Sequence, residues 1–270
     1  MMNKMSEPAT PRTRARSDGA RSLHRAAAVL RVLSVHVGTG WRLSDLAQEA
    51  GLDHSTAHRL LRCLVDERLA LQVPGTRRYS LGPLAYELGV AAAPHFAVER
   101  AAAPRLSRLA AETQDMVFMN VRSGLESVCV ARYEGRNALK AYTVDVGTRR
   151  PLCLSAGGAA ILISLPRAEQ AAVAAANLRS IARRGEGRQN AVKRMLQRSR
   201  RLGYGLNLED IIPGITAIGV PVRGPGGAPV ASISLAAAGT ALDEPRRSAM
   251  LQRLRAEVAA VEVAVAGLRL

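Results

Sequence analysis

Residues 44–67 contain the pattern that most constrains the fold of this chain, two short amphipathic helices separated by a glycine. Apolar residues recur at helical spacing over 44–50, where Ser44 is a suitable N-cap. Gly51 then supplies a left-handed residue that ends a helix without a Cβ clash. Asp53 is a suitable N-cap for the next helix, which we expect to run to about Glu67. The spacing therefore predicts two helices joined by a tight turn.

A predicted helix precedes this pair and a predicted hairpin follows it. Apolar positions over 22–37 follow the helical period, with Ser22 as the N-cap. The runs 69–73 and 77–81 flank a Pro-Gly turn, which is typical of two short antiparallel strands. Helix, helix, turn, helix and hairpin in this order indicate a winged helix-turn-helix.

The third helix of this unit divides into an apolar side and a polar side. Its apolar residues fall within about 100° of arc, which leaves the opposite side free to enter a DNA major groove. The hairpin is the wing, and its arginines suit phosphates or the minor groove. The alternative is a small helical domain with a solvated basic face. The residues that we expect to contact DNA are Ser44, His54, Ser55, Thr56, His58, Arg59, Arg62, Arg77 and Arg78.

Charge supports a nucleic-acid partner only weakly, because most of it lies elsewhere. The formal net charge is +16, of which residues 1–21 carry +3, residues 22–93 carry +2 and residues 94–270 carry +11. Residues 179–201 alone hold nine basic residues and one acidic residue. A run of this kind is usually a solvated helix face. The alternatives are a non-specific contact with DNA or an acidic partner.

Several classes of protein are disfavoured by what the sequence lacks. No apolar run approaches the ~18 residues that a membrane helix needs, and the polar start of the chain has no signal-peptide core, so we expect a cytoplasmic protein. Three widely spaced cysteines do not form a disulfide framework. We expect no metal and no cofactor, because there is no Cys-x-x-Cys pair and the five histidines form no metal-binding set. The sequence contains no set of a nucleophile and a base that would indicate an enzyme.

The second half mixes helices and strands, which predicts an α+β sensor domain. Helices are expected over 96–113, 155–165, 189–202 and 246–268, and strands over 116–121, 127–133, 139–144, 217–222 and 229–236. The predicted organisation is a disordered basic tail over 1–20, the winged helix-turn-helix over 21–82, a linker helix over 83–94 and the sensor domain over 95–270.

Several blocks of sequence together resemble the IclR family of bacterial regulators. They are RSLHRA at 21–26, LSDLA at 43–47, GL at 51–52, STAHRLL at 55–61, YSLG at 79–82, GTRRPL at 147–152, SAGG at 155–158, GY at 203–204 and PG at 213–214. The resemblance covers roughly residues 21–240. It implies a winged-helix domain, a linker helix, a GAF-like effector-binding domain, and homodimers or homotetramers on pseudo-palindromic operators in double-stranded DNA.

The resemblance also implies an effector pocket, and this chain departs from the family pattern there. Family members that bind small organic acids often carry Cys at the positions of Leu154 and Ala217, and an acidic residue at Asn207. Apolar replacements disfavour a small polar ligand and favour an aromatic or largely apolar carboxylic acid. The expected effector residues are Leu154, Ser155, Ala156, Gly157, Gly158, Asn207, Ala217 and Ser234.

Three features of this region have simpler explanations. The pair Gly157–Gly158 also suits a helix that packs closely on a sheet, as an alternative to a site where helix N–H groups bind the ligand's carboxylate. Arg149 and Arg150 are expected at the surface, and the alternative is that they hold the acid group of the ligand. Cys153 is expected to be a buried structural thiol, and the alternative is a reactive thiol. The sequence therefore predicts an effector-controlled DNA-binding regulator. The alternatives are a ligand-independent architectural DNA-binding protein and an enzyme domain with a DNA-binding head.

Overall fold

The computed structural model describes residues 18–35, 39–93, 98–136, 144–182 and 185–266. Its contacts divide the chain into two compact units, residues 1–87 and 88–270. The finer boundaries of the linker stay predictions. Within the described ranges, no helix is long and apolar enough to cross a membrane.

The N-terminal unit is a set of helices with a small sheet, as the sequence predicts. Its sheet is antiparallel with the order β1-β3-β2, and its core consists of apolar residues such as Val29, Leu33, Leu46, Ala57 and Leu61. Gly51 ends the second helix at φ +66°, as expected. The elements are α1 (Asp18–Leu33), β1 (Trp41–Arg42), α2 (Leu43–Ala50), α3 (His54–Asp66), β2 (Ala70–Gln72), β3 (Arg78–Leu81) and α4 (Pro83–Ala92), which spans the boundary between the units.

Four sequence predictions about this unit are wrong. Helix α1 already includes Asp18, so Ser22 lies inside the helix and residues 18–20 are not part of a disordered tail; residues 1–17 lie outside the described ranges. Helix α1 also ends at Leu33 instead of 37, and residues 36–38 are not described. Helix α2 begins at Leu43, and Ser44 donates to the Asp45 carboxylate at 3.0 Å instead of capping the helix.

The C-terminal unit is a six-stranded antiparallel sheet with helices on both faces. The strand order is β6-β5-β4-β9-β8-β7. Helices α5 and α9 pack on one face, and α6 packs on the other with α7 and α8 outside it. The elements are α5 (Val98–Thr113), β4 (Met116–Ser123), β5 (Glu126–Tyr133), β6 (Arg149–Pro151), α6 (Ala156–Ile163), α7 (Arg167–Ala182), α8 (Glu186–Leu202), β7 (Gly205–Leu208), β8 (Ile215–Arg223), β9 (Pro229–Ala238) and α9 (Glu244–Ala266).

The sequence missed the elements with the weakest periodicity. Helix α7 is rich in alanine on all sides, so its apolar residues are not concentrated on one face. Strands β1, β6 and β7 have two to four residues, too few for alternation to be visible. Of the strand predicted over 139–144, residues 139–143 lie outside the described ranges, and Val144 is not in a strand.

Candidate DNA-binding surface and effector pocket

The start of α3 is held by Asp53, as the sequence predicts. The Asp53 carboxylate accepts hydrogen bonds from the Thr56 backbone N–H at 2.8 Å and from the Ser55 hydroxyl at 2.7 Å. These bonds, with the backbone bond largest, hold the pKa of Asp53 well below its usual range, so the cap stays ionised. Ser55 is thus oriented by the cap, and its oxygen remains able to accept a further bond.

The two sides of α3 lie as expected. Ala57, Leu61 and Leu64 are buried in the core of the unit. On the opposite side, Arg59 and Arg62 are exposed and form no ion pair within the described ranges. His54, Ser55 and His58 are exposed as well, and Thr56 is partly covered. A helix face of this kind offers guanidinium groups that suit guanine or phosphate.

A cleft lies between the first turns of α2 and α3 and the wing. It brings together the predicted residues Ser44, His54, Arg77 and Arg78, together with Arg42, Leu43 and Thr76. Arg77 is exposed. Arg78 is half-buried and donates to the Gly40 carbonyl at 2.8 Å, so this side chain also ties β3 to the turn before β1. Arg42 is a cation of this surface that the sequence reasoning missed, because β1 was not predicted.

In the C-terminal unit, four adjacent strands form the floor of a pocket. Phe118 on β4 is paired with Ser234 on β9, Ala217 on β8 is paired with Ala236 on β9, and Asn207 on β7 is paired with Ala217. Because side chains alternate along a strand, these residues and Asn120 all face α6. The sheet register thus gathers residues that are almost 120 positions apart in the sequence.

The walls of the pocket come from α6 and from the segment between β7 and β8. The empty space between them is about 510 Å³, including the part that is open to solvent. Six of the eight predicted residues line it: Leu154, Ser155, Ala156, Asn207, Ala217 and Ser234. Arg150, which the sequence analysis considered, also lines it. So do residues that the sequence did not single out, namely Phe118, Asn120, Val144, Ile211, Ile212, Ile215 and Ala236.

Gly157 and Gly158 do not line the pocket, and close packing explains both. A Cβ on Gly157 would lie 2.8 Å from the Ser232 hydroxyl and 2.9 Å from the Asn120 amide nitrogen. A Cβ on Gly158 would lie 2.4 Å from the Leu152 carbonyl oxygen. The Gly158 N–H is already bonded to the Ser155 hydroxyl at 2.9 Å. The pair therefore allows close packing of α6 against the sheet and the preceding turn. This is the alternative that the sequence analysis offered for the two glycines.

The polar residues of the pocket differ in how far they are engaged. Both ends of the Asn207 amide are engaged, since it donates to the Ile215 carbonyl at 3.0 Å and accepts from the Ile211 N–H at 3.2 Å. Asn120 and Ser234 are 7 % and 6 % exposed, and their side chains have no hydrogen-bond partner among the described residues. Buried polar groups are rarely left unpaired, so these two side chains suit a ligand or a bound water.

Arg150 is the charged residue of the pocket lining, and the expectation that it lies at the surface is wrong. It is half-buried, and burial, followed by the nearby Arg188, lowers the pKa of its guanidinium. Its neighbour Arg149 is also half-buried and pairs with Glu126 at 3.0 Å and with the Ser123 hydroxyl at 2.8 Å. The described lining holds no carboxylate. A cation in a mostly apolar pocket favours an anionic ligand.

Comparisons with known proteins find matches for both units of the chain. Residues 22–74 match the IclR helix-turn-helix domain, and residues 90–263 match the bacterial transcriptional regulator IclR C-terminal domain. The chain is 30% identical over 215 residues to the HTH-type transcriptional regulator Rv1719 of Mycobacterium tuberculosis, covering 77% of this chain and 79% of that protein. The chain belongs to the IclR family.

Solved IclR structures have the same fold. The IclR transcriptional regulator from Alicyclobacillus acidocaldarius matches with a TM-score of 0.70 and 26% identity, over 92% of this chain and 99% of that one. An IclR homolog from Microbacterium hydrocarbonoxydans, solved as a complex with 4-hydroxybenzoate, matches with a TM-score of 0.68 and 23% identity, over 90% of this chain and 98% of that one. The protein is thus an IclR-type DNA-binding regulator with a C-terminal effector-binding domain.

Among the described residues, the buried cysteines and the potential metal ligands form no reactive or metal-binding site. Cys129 and Cys153 are buried, and burial raises the pKa of the Cys129 thiol to about 11 and that of Cys153 to about 12. Both therefore remain protonated thiols, as expected of structural cysteines. Within the described ranges, no group of three or more His, Cys, Asp or Glu residues is arranged to hold a metal ion.

Proposed function

We propose that this IclR regulator changes its affinity for an operator when a largely apolar carboxylic acid binds in the C-terminal pocket. The observation that carries the proposal is the composition of the pocket lining, which is mostly apolar. Besides Ser155 and Asn207, whose side chains bond within the protein, it holds two buried polar side chains that have no partner among the described residues, and one cation. Apolar ligand surface gains about 25 cal/mol per Å² on burial. A carboxylate without a counter-charge would be costly there.

The acid group is proposed to bind Arg150. This replaces the helix start as the position of the acid, because the Gly158 N–H is bonded to Ser155 and the glycine pair lies outside the lining. Phe118 and Ala217 would contact the apolar body of the ligand. Asn120 and Ser234 are suited to a polar substituent such as a hydroxyl.

The DNA side of the proposal uses α3 as the reading helix. Arg59 and Arg62 would enter the major groove, and Arg77 would hold a phosphate. A pseudo-palindromic operator requires a symmetric homodimer or homotetramer, which is also part of the proposal. A DNA-binding regulator acts where the chromosome is, so we place it in the cytoplasm. We assign no catalytic role.

A panel of ligands tests the pocket. 4-Hydroxybenzoate, which is bound in a structural neighbour, is a suitable first probe because it combines an acid, a ring and a hydroxyl. Thermal unfolding is measured with aromatic acids and with acids of two to four carbons. Ligand at 100 times Kd stabilises by about 2.7 kcal/mol, so a hit among the aromatic acids supports the proposal.

Two other results would point to the alternatives. Stabilisation by a two-carbon acid but by no aromatic acid contradicts the proposed ligand class. An absence of any hit across the panel favours an architectural DNA-binding protein. Mass spectrometry of the hit after incubation with the protein tests the enzyme alternative, since a regulator returns its effector unchanged.

A further inference from the structure

Helix α8 presents a basic face that the effector pocket does not use. Its inner side packs in the core through residues that include Val192, Met195 and Leu196. At 100° per residue, the exposed positions lie on the opposite side. Four of them are cations, Lys193, Arg194, Arg200 and Arg201, and Asn190 and Gln197 lie between these in projection. Unlike the usual solvated face, this one has cations and amides but a single acidic residue, Glu186, at the start of the helix.

Among the described residues, no acidic side chain pairs with the cations on this face. Lys193, Arg194 and Arg201 have no ion pair or side-chain hydrogen bond in the part of the chain that is described. Within the same described residues, Arg200 donates to the neutral amide of Gln170 at 3.1 Å and has no other side-chain partner. Arg198 differs, because it turns inward and pairs with Asp210. Residues 94–270, which contain α8, carry +11 of the net charge of +16.

We propose that this face of α8 binds the phosphate backbone of duplex DNA, as a contact separate from the winged helix. Protein–protein interfaces have an apolar core. On α8, the one exposed large apolar side chain among the described residues is Leu202, the last residue of the helix, which lies outside the row of cations in projection. Arginine, lysine, asparagine and glutamine are the usual donors to phosphate oxygens. The chemistry of the face thus fits DNA better than an acidic protein.

The spacing of the cations fits an extended polyanion. Lys193 and Arg200 lie seven residues apart, as do Arg194 and Arg201. Seven residues advance a helix by about 10.5 Å, so the cations form two parallel rows. A backbone contact reads no sequence but adds affinity at any site. The excess charge outside the winged helix would then contribute to DNA binding by the whole chain.

The salt dependence of DNA binding by the full chain tests this. The variant Lys193→Gln/Arg194→Gln/Arg201→Gln is compared with a control of equal charge, Arg100→Gln/Arg136→Gln/Arg255→Gln, which changes exposed arginines elsewhere in the same unit. Fluorescence anisotropy with a random-sequence duplex gives the slope of log K against log salt. Each lost phosphate contact lowers the slope by about 0.9, so we expect a decrease of about 2.7 for the α8 variant and none for the control.

Equal decreases in both variants would assign the effect to net charge and overturn the proposal, as would an unchanged slope in the α8 variant. Arg77→Ala is measured in parallel. If this variant lowers the slope while the α8 variant does not, the winged helix binds DNA and only the α8 contact is refuted. A photoreactive amino acid at Gln197, in the middle of the face, gives a direct second measurement, with position 100 as control. We expect a crosslink to DNA from position 197 alone. A crosslink from 197 to protein and not to DNA would show an acidic partner instead and refute the DNA contact.

Discussion

Replacing Arg150 by glutamine removes the charge that we assign to the ligand's acid group. Arg150 is half-buried at the lining of the pocket, where burial already lowers the pKa of its guanidinium. A bound carboxylate would offset this desolvation. Glutamine keeps a polar side chain of similar reach, so the pocket loses one positive charge with little change of volume.

The expected loss of ligand affinity follows from the half-buried position of the Arg150 guanidinium. Opposite charges about 4 Å apart attract by about 4 kcal/mol at the effective dielectric constant of 20 that suits a partly covered site. Desolvation offsets part of this, and a hydrogen bond to a charged group contributes about 1.5–3 kcal/mol net. Since 1.4 kcal/mol is a factor of ten, Arg150→Gln should raise the Kd of the acid by about 10- to 150-fold.

Calorimetry with an acid and with its carboxamide isolates the contribution of the ligand's charge to the binding free energy. The wild-type protein should prefer the acid, and Arg150→Gln should lose that preference while its Kd for the amide stays unchanged. Arg149→Gln is the matched control, because Arg149 is engaged with Glu126 and Ser123 and does not line the pocket. Should Arg150→Gln bind the acid as tightly as wild type, the assignment of the acid group to Arg150 is wrong.

Three further predictions concern DNA binding and packing. Arg59→Ala should weaken specific operator binding by about 1–3 kcal/mol, measured by gel shift at fixed salt; an unchanged Kd removes Arg59 from the reading face. Arg77→Ala should weaken binding to all sequences and lower the salt slope by about 1, whereas a change in specificity at constant slope would assign base contacts to the wing. Gly205→Ala should lower the free energy of unfolding by about 1–3 kcal/mol, because its Cβ would lie 1.8 Å from the Ala156 carbonyl oxygen; Gly187→Ala, in open space on α8, should not destabilise, and equal unfolding curves would contradict the packing argument.

The N-terminal unit could be predicted well because its signals are local. The cap at Asp53, the left-handed Gly51 and the apolar stripe of α3 each depend on residues a few positions apart. The error at Ser44 is also local in origin. A serine one residue inside a helix looks like a cap in the sequence, and only the conformation at Arg42 distinguishes the two.

The effector pocket could be predicted only in part because it depends on sheet register. The family resemblance located Leu154, Asn207 and Ala217 at the lining. Asn120 and Phe118 face the pocket because β4 pairs with β9, which no local pattern reveals. No local pattern shows which of the two adjacent arginines lines the pocket.

The effect of the acid on operator affinity tests the central claim most directly. An operator is selected from random-sequence duplexes, and its Kd is measured with and without saturating acid for the wild-type protein and for Ala217→Phe, which fills the pocket from β8. We expect the acid to change the wild-type Kd by about 5- to 150-fold, and Ala217→Phe to bind the operator normally without any response. An unchanged operator Kd in a wild-type protein that has bound the acid, or a full response in Ala217→Phe, would contradict the account.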